Sequence, residues 1–472
     1  MIAILLEDVP FEQDIRELCM AFFPGEIYVH EADADASLTV RGWRDVHEIY
    51  RLRVTDKAGY CREGAARILD DRFQTKCLVK TVIYHILENY TGHGLPWGTL
   101  TGIRPTRLFL DMLDEGMSED EASDEFRNQF EPSVEKLALC REVAVREKKL
   151  LETVDTEKGW SLYLGIPFCP TTCLYCSFTS YPISAWKNRT QEYVDALIED
   201  VRRTAEQYKG RRLETIYMGG GTPTSLEADQ LKRILEAVFK FNDVSCLKEL
   251  TVEAGRPDSI TREKLMALRQ VGCDRISVNP QTMRDETLKA IGRLHTVDMV
   301  REKFHLAREC GFENINMDII AGLPGENASH MEMTMRELEK LAPDSITVHT
   351  LAIKHKSRLN RESASGAWAD EAPGADAVAD MLHIADTACR NMGLSPYYMY
   401  RQKNMAGNFE NVGYSLPGKE CLYNVLIMEE RQTIAGCGAG TSTKIPLGRG
   451  QGVERSAKVR DPGIYIERFH EI

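Results

Sequence analysis

The stretch GIPFCPTTCLYCSF, Gly165–Phe178, sets Cys169, Cys173 and Cys176 at a C-x3-C-x2-C spacing. Cysteine is scarce and is usually buried singly, so three thiols packed this tightly are rarely incidental. Zinc accepts thiolates, but a structural zinc closes a four-ligand shell, and no C-x2-C or H-x3-H partner lies nearby. A cubane iron–sulfur cluster has four irons, so three cysteinates leave one iron without a protein ligand. That iron is a place for substrate chelation or electron transfer. The spacing therefore favours a cluster with an open position over a closed structural metal.

The cysteines follow the apolar run SLYLGIPF, the first of six such runs. The others are ETIYMGGG, ELTVEA, DRISVNPQ, NINMDIIAGLP and SITVHTLAI. Between them lie helical patterns such as 189–208, 229–241 and 261–272, the last with a threonine cap and a closing glycine. Strands alternating with helices imply a parallel sheet, because parallel neighbours need a crossover. Six units are fewer than the eight of a closed barrel, so the fold expected over 156–395 is α/β, a partial (β/α)6 barrel. Function in such sheets collects at the C-terminal strand ends. The cysteines, Gly219–Gly221, Glu253, Gln281 and Asp318 all fall just after an expected strand.

Residues 1–155 read as a separate α/β domain. Its start, MIAILLEDVPFEQD, is apolar but turns acidic without a basic leader, so it reads as a first strand and not a signal peptide. A helix is expected through Ala65–Asn89, and Pro105 is expected in a helix's first turn. The pair Arg104/Arg107 could meet a phosphate, although a solvated helix end is the plainer reading. Residues 396–472 are irregular and read as a C-terminal extension.

Composition narrows the classes. With 472 residues, 43% hydrophobic, the chain can build several cores. A net charge of −13 argues against a general nucleic-acid or anionic-membrane surface. No apolar run nears the ~18 residues of a membrane span. Most of the 13 cysteines stand alone, as buried thiols do in a reducing cytosol, and a cytoplasmic location is expected.

At GIPFCPTTCLYCSF the chain resembles the radical S-adenosylmethionine (SAM) superfamily, whose signature is C-x3-C-x2-C with an aromatic residue, here Tyr175, before the third cysteine. The resemblance narrows further. LYLGIPFCPTTCLYCSF, YMGGGTPT, TVEAGRPDSIT, RISVNPQT, IGRLH and NMDIIAGLPGE occur in the order seen in oxygen-independent coproporphyrinogen III oxidases. TGIRPTRL and YRQKNMAGNFENVGY are similar to segments of the HemZ-type coproporphyrinogen dehydrogenases. The resemblance implies a [4Fe–4S] cluster on Cys169, Cys173 and Cys176, with SAM on the fourth iron. Tyr163, Tyr175, Gly220, Gly221, Thr222 and Glu253 are the implied SAM contacts; Gln281, Arg293, Asp318 and Ala352 fall where the oxidases bind SAM, including a second molecule. Read alone, the glycines could be a plain turn and Glu253 a structural ion pair.

The implied chemistry is reductive and anaerobic. An electron from a donor such as flavodoxin or ferredoxin cleaves SAM, and the 5′-deoxyadenosyl radical takes hydrogen from a propionate of coproporphyrinogen III. Loss of carbon dioxide and an electron leaves a vinyl group, and a second round gives protoporphyrinogen IX for haem biosynthesis. The cofactor supplies the hard chemistry, and no general base from the chain is required. A tetracarboxylate substrate on an acidic chain needs a concentrated basic site. Arg401 and Lys403, among the tyrosines of Tyr398–Tyr414, are the expected grip, with the extension after 396 closing the substrate site; a loop packed on the barrel rim is the alternative.

There are departures from the oxidases. Their further cysteine is replaced by Phe178, and their helical C-terminal domain is missing. The H-N-x-x-Y-W motif of haem-chaperone relatives is absent. A haem-modifying or haem-degrading radical SAM enzyme, or a haem carrier, are the competing readings.

Overall fold

The computed structural model describes residues 1–472 except 32, 34, 177–179, 352–372, 403–408, 449–451 and 471–472. The chain forms two compact units. One is Met1–Val145 with Tyr400–Glu410, and the other is Arg146–Met399 with Asn411–Ile472. The division falls at 145/146, within the helix Val134–Leu151, instead of near 155.

In the second unit each of the six apolar runs becomes a strand. Gly159–Ile166, Arg212–Gly220, Glu249–Val252, Arg275–Ser277, Ile315–Ala321 and Ser345–Thr350 lie side by side in chain order, all parallel. Helices Thr190–Gln207, Ala228–Phe241, Arg262–Gln270, Val297–Glu309 and Ala328–Leu341 make the crossovers. Thr261 caps the third of these by accepting from Lys264 N at 3.4 Å, and Gly272 follows it at φ +83°. Every residue of Glu249–Val252 and Arg275–Ser277 is buried. Burial on both faces is what a parallel sheet covered by helices requires.

The residues after 396 do not form a separate domain. Thr433–Cys437 is a seventh parallel strand, paired with Gly159–Ile166, and Ser442–Pro446 and Val453–Ala457 continue the sheet antiparallel. At the opposite edge Glu410–Ser415 runs antiparallel to Ser345–Thr350, with Ser395–Arg401 outside it, giving eleven strands. A partial barrel leaves edges with unpaired peptide groups, and these strands satisfy them.

The first unit has a five-stranded sheet in the order Tyr28–Val29, Ile2–Glu7, Leu38–Arg44, Ile49–Asp56, Cys61–Arg67. Ile4, Val40, Leu52 and Val54 share a core with Ile15, Leu18, Val79, Ile83 and Leu87. The first strand and Pro105, which opens the helix Pro105–Asp114, lie where the sequence placed them. The expected helix from Ala65 does not. Residues Cys61–Arg67 pair with Ile49–Asp56, and the helix starts at Arg72, capped by Asp71 accepting from Phe73 N at 2.7 Å. Strand pairing overrides the helical preference of the two alanines. Among the described residues no helix is long and apolar enough to cross a membrane.

Glu249 ties the barrel interior to the helix Leu422–Glu429. Its carboxylate accepts from Leu422 N at 2.5 Å, Tyr423 N at 3.4 Å, Thr251 Oγ1 at 3.1 Å and the Cys421 thiol at 3.3 Å. Burial pushes its pKa up while these donors oppose the rise. Glu249→Ala leaves buried amides unpaired, so unfolding in denaturant should show a loss of about 1–3 kcal/mol. Glu249→Gln, which still accepts, should lose less.

Candidate active site

Register builds the site in layers. Tyr163 stands opposite Tyr217, Tyr217 opposite Thr251 and Thr251 opposite Arg275, so these side chains share one face of the sheet. The rings of Tyr163, Tyr217 and Tyr423 stack, with centroids 4.4 Å apart for Tyr217–Tyr423 and about 6 Å for the other two pairs. Two residues further toward the C-terminal ends the bulk disappears, because Gly165 stands opposite Gly219. Beyond them is Glu253, whose N–H bonds Met218 O at 2.9 Å. A Cβ on Gly219 would come within 2.9 Å of both the Glu253 carboxyl carbon and the Tyr217 ring. The glycines therefore clear a space that one carboxylate enters.

Glu253 accepts from the Tyr217 hydroxyl at 2.7 Å. Enclosure of the carboxylate pushes its pKa up to about 7, against the lowering effect of the Tyr217 bond, and nearby Asp318 adds to the rise. Asp318 lies inside the strand Ile315–Ala321 and not after it as the sequence suggested. It accepts from Asn279 Nδ2 and Asn316 Nδ2, both at 2.7 Å, and His349 Nε2 stands 3.8 Å away. Burial opposes ionisation of Asp318, but bonds from His349, Asn316 and Thr347 outweigh it and hold its pKa below the usual value.

The cysteine loop lies against the glycine turn. Gly221 N donates to Ile166 O and Thr222 N to Phe168 O, each at 2.7 Å. Gly220 takes φ +111°, open mainly to glycine. A Cβ on Gly221 would stand 2.6 Å from Phe168 O and 3.0 Å from Cys169 Sγ. Thr222 Oγ1 donates to Cys169 Sγ at 3.5 Å. Burial pushes the Cys169 thiol up to about 11, opposed by Thr222 and reinforced by Cys176 and Cys173, so the three sulfurs feel one another. Across the loop, Leu174 N donates to Ile291 O at 3.1 Å and Thr171 Oγ1 to Gly292 O at 3.3 Å.

Gln281 holds a left-handed backbone at φ +70°, a strained state for a residue with a Cβ, and is buried. Its Oε1 accepts from the Tyr175 hydroxyl at 3.2 Å, and that hydroxyl in turn accepts from Arg293 Nη2 at 3.0 Å. Arg293 Nη1 bonds Asn279 O at 2.8 Å. The structure thus joins Tyr175, Gln281 and Arg293, sets Gly221 and Thr222 beside Cys169, and stacks Tyr163 below Glu253. Ala352, Lys403 and Phe178 lie outside the described residues. Sequence reading missed Tyr217 and Tyr423, which meet only across strands, and Arg256, which bonds the cysteine loop. It also missed the glycine-rich turn Gly436–Gly440 at the end of the seventh strand.

Arg401 is a correction. It belongs to the first unit, is 3% exposed, and donates to Leu100 O at 2.7 Å and Gly102 O at 3.2 Å. Its guanidinium lies over the Trp97 ring, 5.5 Å from the centroid. Burial lowers its pKa to about 10. An arginine committed to carbonyls and an indole is a packing element and not a hand for a substrate carboxylate.

The donor set suits a cluster. Among the described residues no three His, Cys, Asp or Glu side chains converge as ligands of one ion would; cluster cysteinates each take a different iron and need not converge so closely. Buried Arg256 and Arg293 beside Cys173 supply positive charge and donors that suit an anionic thiolate cluster.

A model of the radical SAM superfamily matches residues 163–338. The oxygen-independent coproporphyrinogen-III oxidase-like protein HemZ of Bacillus subtilis is 43% identical over 401 residues, 84% of this chain and 79% of the relative. The heme chaperone HemW of the same organism is 32% identical, over 59% of this chain and 69% of its own length. The solved structure of coproporphyrinogen III oxidase HemN from Escherichia coli, a radical SAM enzyme, matches with a TM-score of 0.56 at 20% identity, over 70% of this chain and 72% of that one. HemN thus shares the fold. The chain belongs to the radical SAM superfamily, in the group of HemZ proteins. Its cofactors are accordingly a [4Fe–4S] cluster and SAM.

The raised pKa of Glu253 has a consequence for the cofactor-free protein. Between about 4.5 and 7 the folded chain keeps a proton at Glu253 that the unfolded chain has lost. Raising the pH through that window should therefore reduce this residue's contribution to stability. Glu253→Gln should flatten that part of the profile, read as urea midpoints from pH 4.5 to 7.5.

Proposed function

We propose that this protein is a radical SAM coproporphyrinogen III dehydrogenase, converting propionate side chains to vinyl groups without oxygen. The observation that carries this reading is the three-cysteine loop seated on a glycine turn beside Glu253, in a chain 43% identical to HemZ. Cys169, Cys173 and Cys176 would hold the cluster. When bound, the cluster and SAM would supply the electron transfer and hydrogen abstraction that the decarboxylation needs.

The chain's own groups bind, orient and exclude water. Peptide groups of Gly219–Gly221 would let SAM approach the backbone, and Glu253 would accept from its ribose hydroxyls. Its proton would leave on SAM binding, because ribose donors favour the ionised carboxylate. The strained Gln281, fixed through Tyr175 to Arg293, holds polar groups at the same mouth, where Asp318 stays ionised. Tyr163, Tyr217 and Tyr423 floor the site with aromatic surface. With Arg401 committed elsewhere, Lys403 is the remaining cation proposed for a substrate carboxylate. The electron donor is a small reducing protein of the flavodoxin or ferredoxin kind, and the setting is cytoplasmic and anaerobic.

HemW kinship favours a second reading, a haem carrier. Anaerobic incubation with SAM, a reductant and coproporphyrinogen III separates the two. The dehydrogenase should release methionine and 5′-deoxyadenosine, and mass spectrometry should show one carbon dioxide and two hydrogens lost per propionate. Stoichiometric haem transfer with no vinyl product would establish the carrier instead. Cys173→Ala should abolish both the product and the roughly four irons and four sulfides of a cubane. Replacing Cys246 or Cys389 should leave them.

A further inference from the structure

Arg256 is 3% exposed and follows Glu253 by three residues, in the turn after the strand Glu249–Val252. Asp258 grips it bidentately, accepting from Nε at 2.9 Å and Nη2 at 2.7 Å. The outer edge of the guanidinium faces the cysteine loop. Nη1 donates to Thr171 O at 3.3 Å and to Cys173 Sγ at 3.5 Å, while Nη2 donates to Thr171 Oγ1 at 3.1 Å. One planar fork therefore binds the backbone, a hydroxyl and a thiol of the loop, and Asp258 fixes its orientation. Thr171 also reaches Gly292 O, so the loop is held from two sides.

We infer that Arg256 is a positioning residue that tunes the cluster through Cys173, which makes this cysteine electrostatically distinct from Cys169. The inference rests on the cofactor reading above. Hydrogen bonds to ligand sulfur and a nearby positive charge both favour the more negative, reduced cluster, and so raise its potential. Thr222 supplies only a neutral hydroxyl to Cys169. Arg256 supplies a full charge at short range with little water to screen it. Asp258 offsets part of that charge, but it lies on the side of the fork away from the sulfur. The arrangement places a charged donor on Cys173 before any cofactor arrives, and should ease the first electron into the site.

A purely structural role would fix the loop and leave the potential alone, so the test reads the potential. Arg256→Ala, Arg256→Gln and Arg256→Lys are reconstituted anaerobically, assayed for iron and sulfide, and titrated for midpoint by electron paramagnetic resonance without SAM. Where Arg256→Ala loads, its midpoint should lie below the wild type's, with Arg256→Lys between them because it keeps the charge but not the fork. If Arg256→Ala fails to load, Arg256→Gln decides: a lowered midpoint supports the inference. Variants that load fully and titrate at the wild-type potential overturn it. Failure of all three to load also overturns it, leaving Arg256 a structural tie. A wild-type protein that assembles no cluster overturns the cofactor reading itself, a result separate from either.

Discussion

The functional end of this molecule depends on the absence of side chains in one inward layer of a parallel sheet. Below that layer the barrel is filled by stacked tyrosines and by buried Glu249 and Arg275. At Gly165 and Gly219 the strands contribute no side chain, and Thr441 and Glu253 take the space. A Cβ on Gly165 would meet Thr441 at 2.4 Å, and one on Gly219 would meet Glu253. Packed interiors do not yield to such intrusions without strain. Seating Thr441 and Glu253 there therefore requires glycine on two neighbouring strands held in register, and the cysteine loop lies against the glycine turn that follows.

Register also explains why parts of the site separated in sequence act together. Arg256 and Cys173 lie 83 positions apart and follow strands separated by Arg212–Gly220, yet they meet because parallel strands deliver their C-terminal loops to the same end. The strands after 396 complete the sheet, so what reads as an extension contributes to the barrel. The seventh parallel strand brings a glycine-rich turn beside the first strand. There Gly438 N donates to the buried Asp200 at 3.0 Å, and Ala439 N donates to the Tyr193 hydroxyl at 3.0 Å.

Local features were legible in the sequence and non-local ones were not. Cysteine spacing, the Gly219–Gly221 run and the Thr261 cap are each confined to a few residues, and the six strands are apolar runs alternating with amphipathic helical stretches. The Glu253 carboxylate was recognisable from its place after a strand, but its raised pKa comes from enclosure by the fold, with Asp318 on another strand adding to the rise and Tyr217 opposing it. Arg401 shows the opposite failure. A cation among tyrosines reads as a ligand grip, but sequence cannot reveal that carbonyls of Leu100 and Gly102 have taken its donors. Arg256 sits inside a recognisable motif, yet its chemistry is visible only where the loops meet.

The central claim is that Cys169, Cys173 and Cys176 leave one iron open, beside Glu253, for SAM. Electron paramagnetic resonance of the reduced, reconstituted protein tests this most directly, using SAM labelled in its amino and carboxylate groups. SAM should change the cluster's signal in the wild type, with coupling from the labelled nuclei. A cluster whose spectrum is unchanged by saturating SAM, with no such coupling, would contradict it.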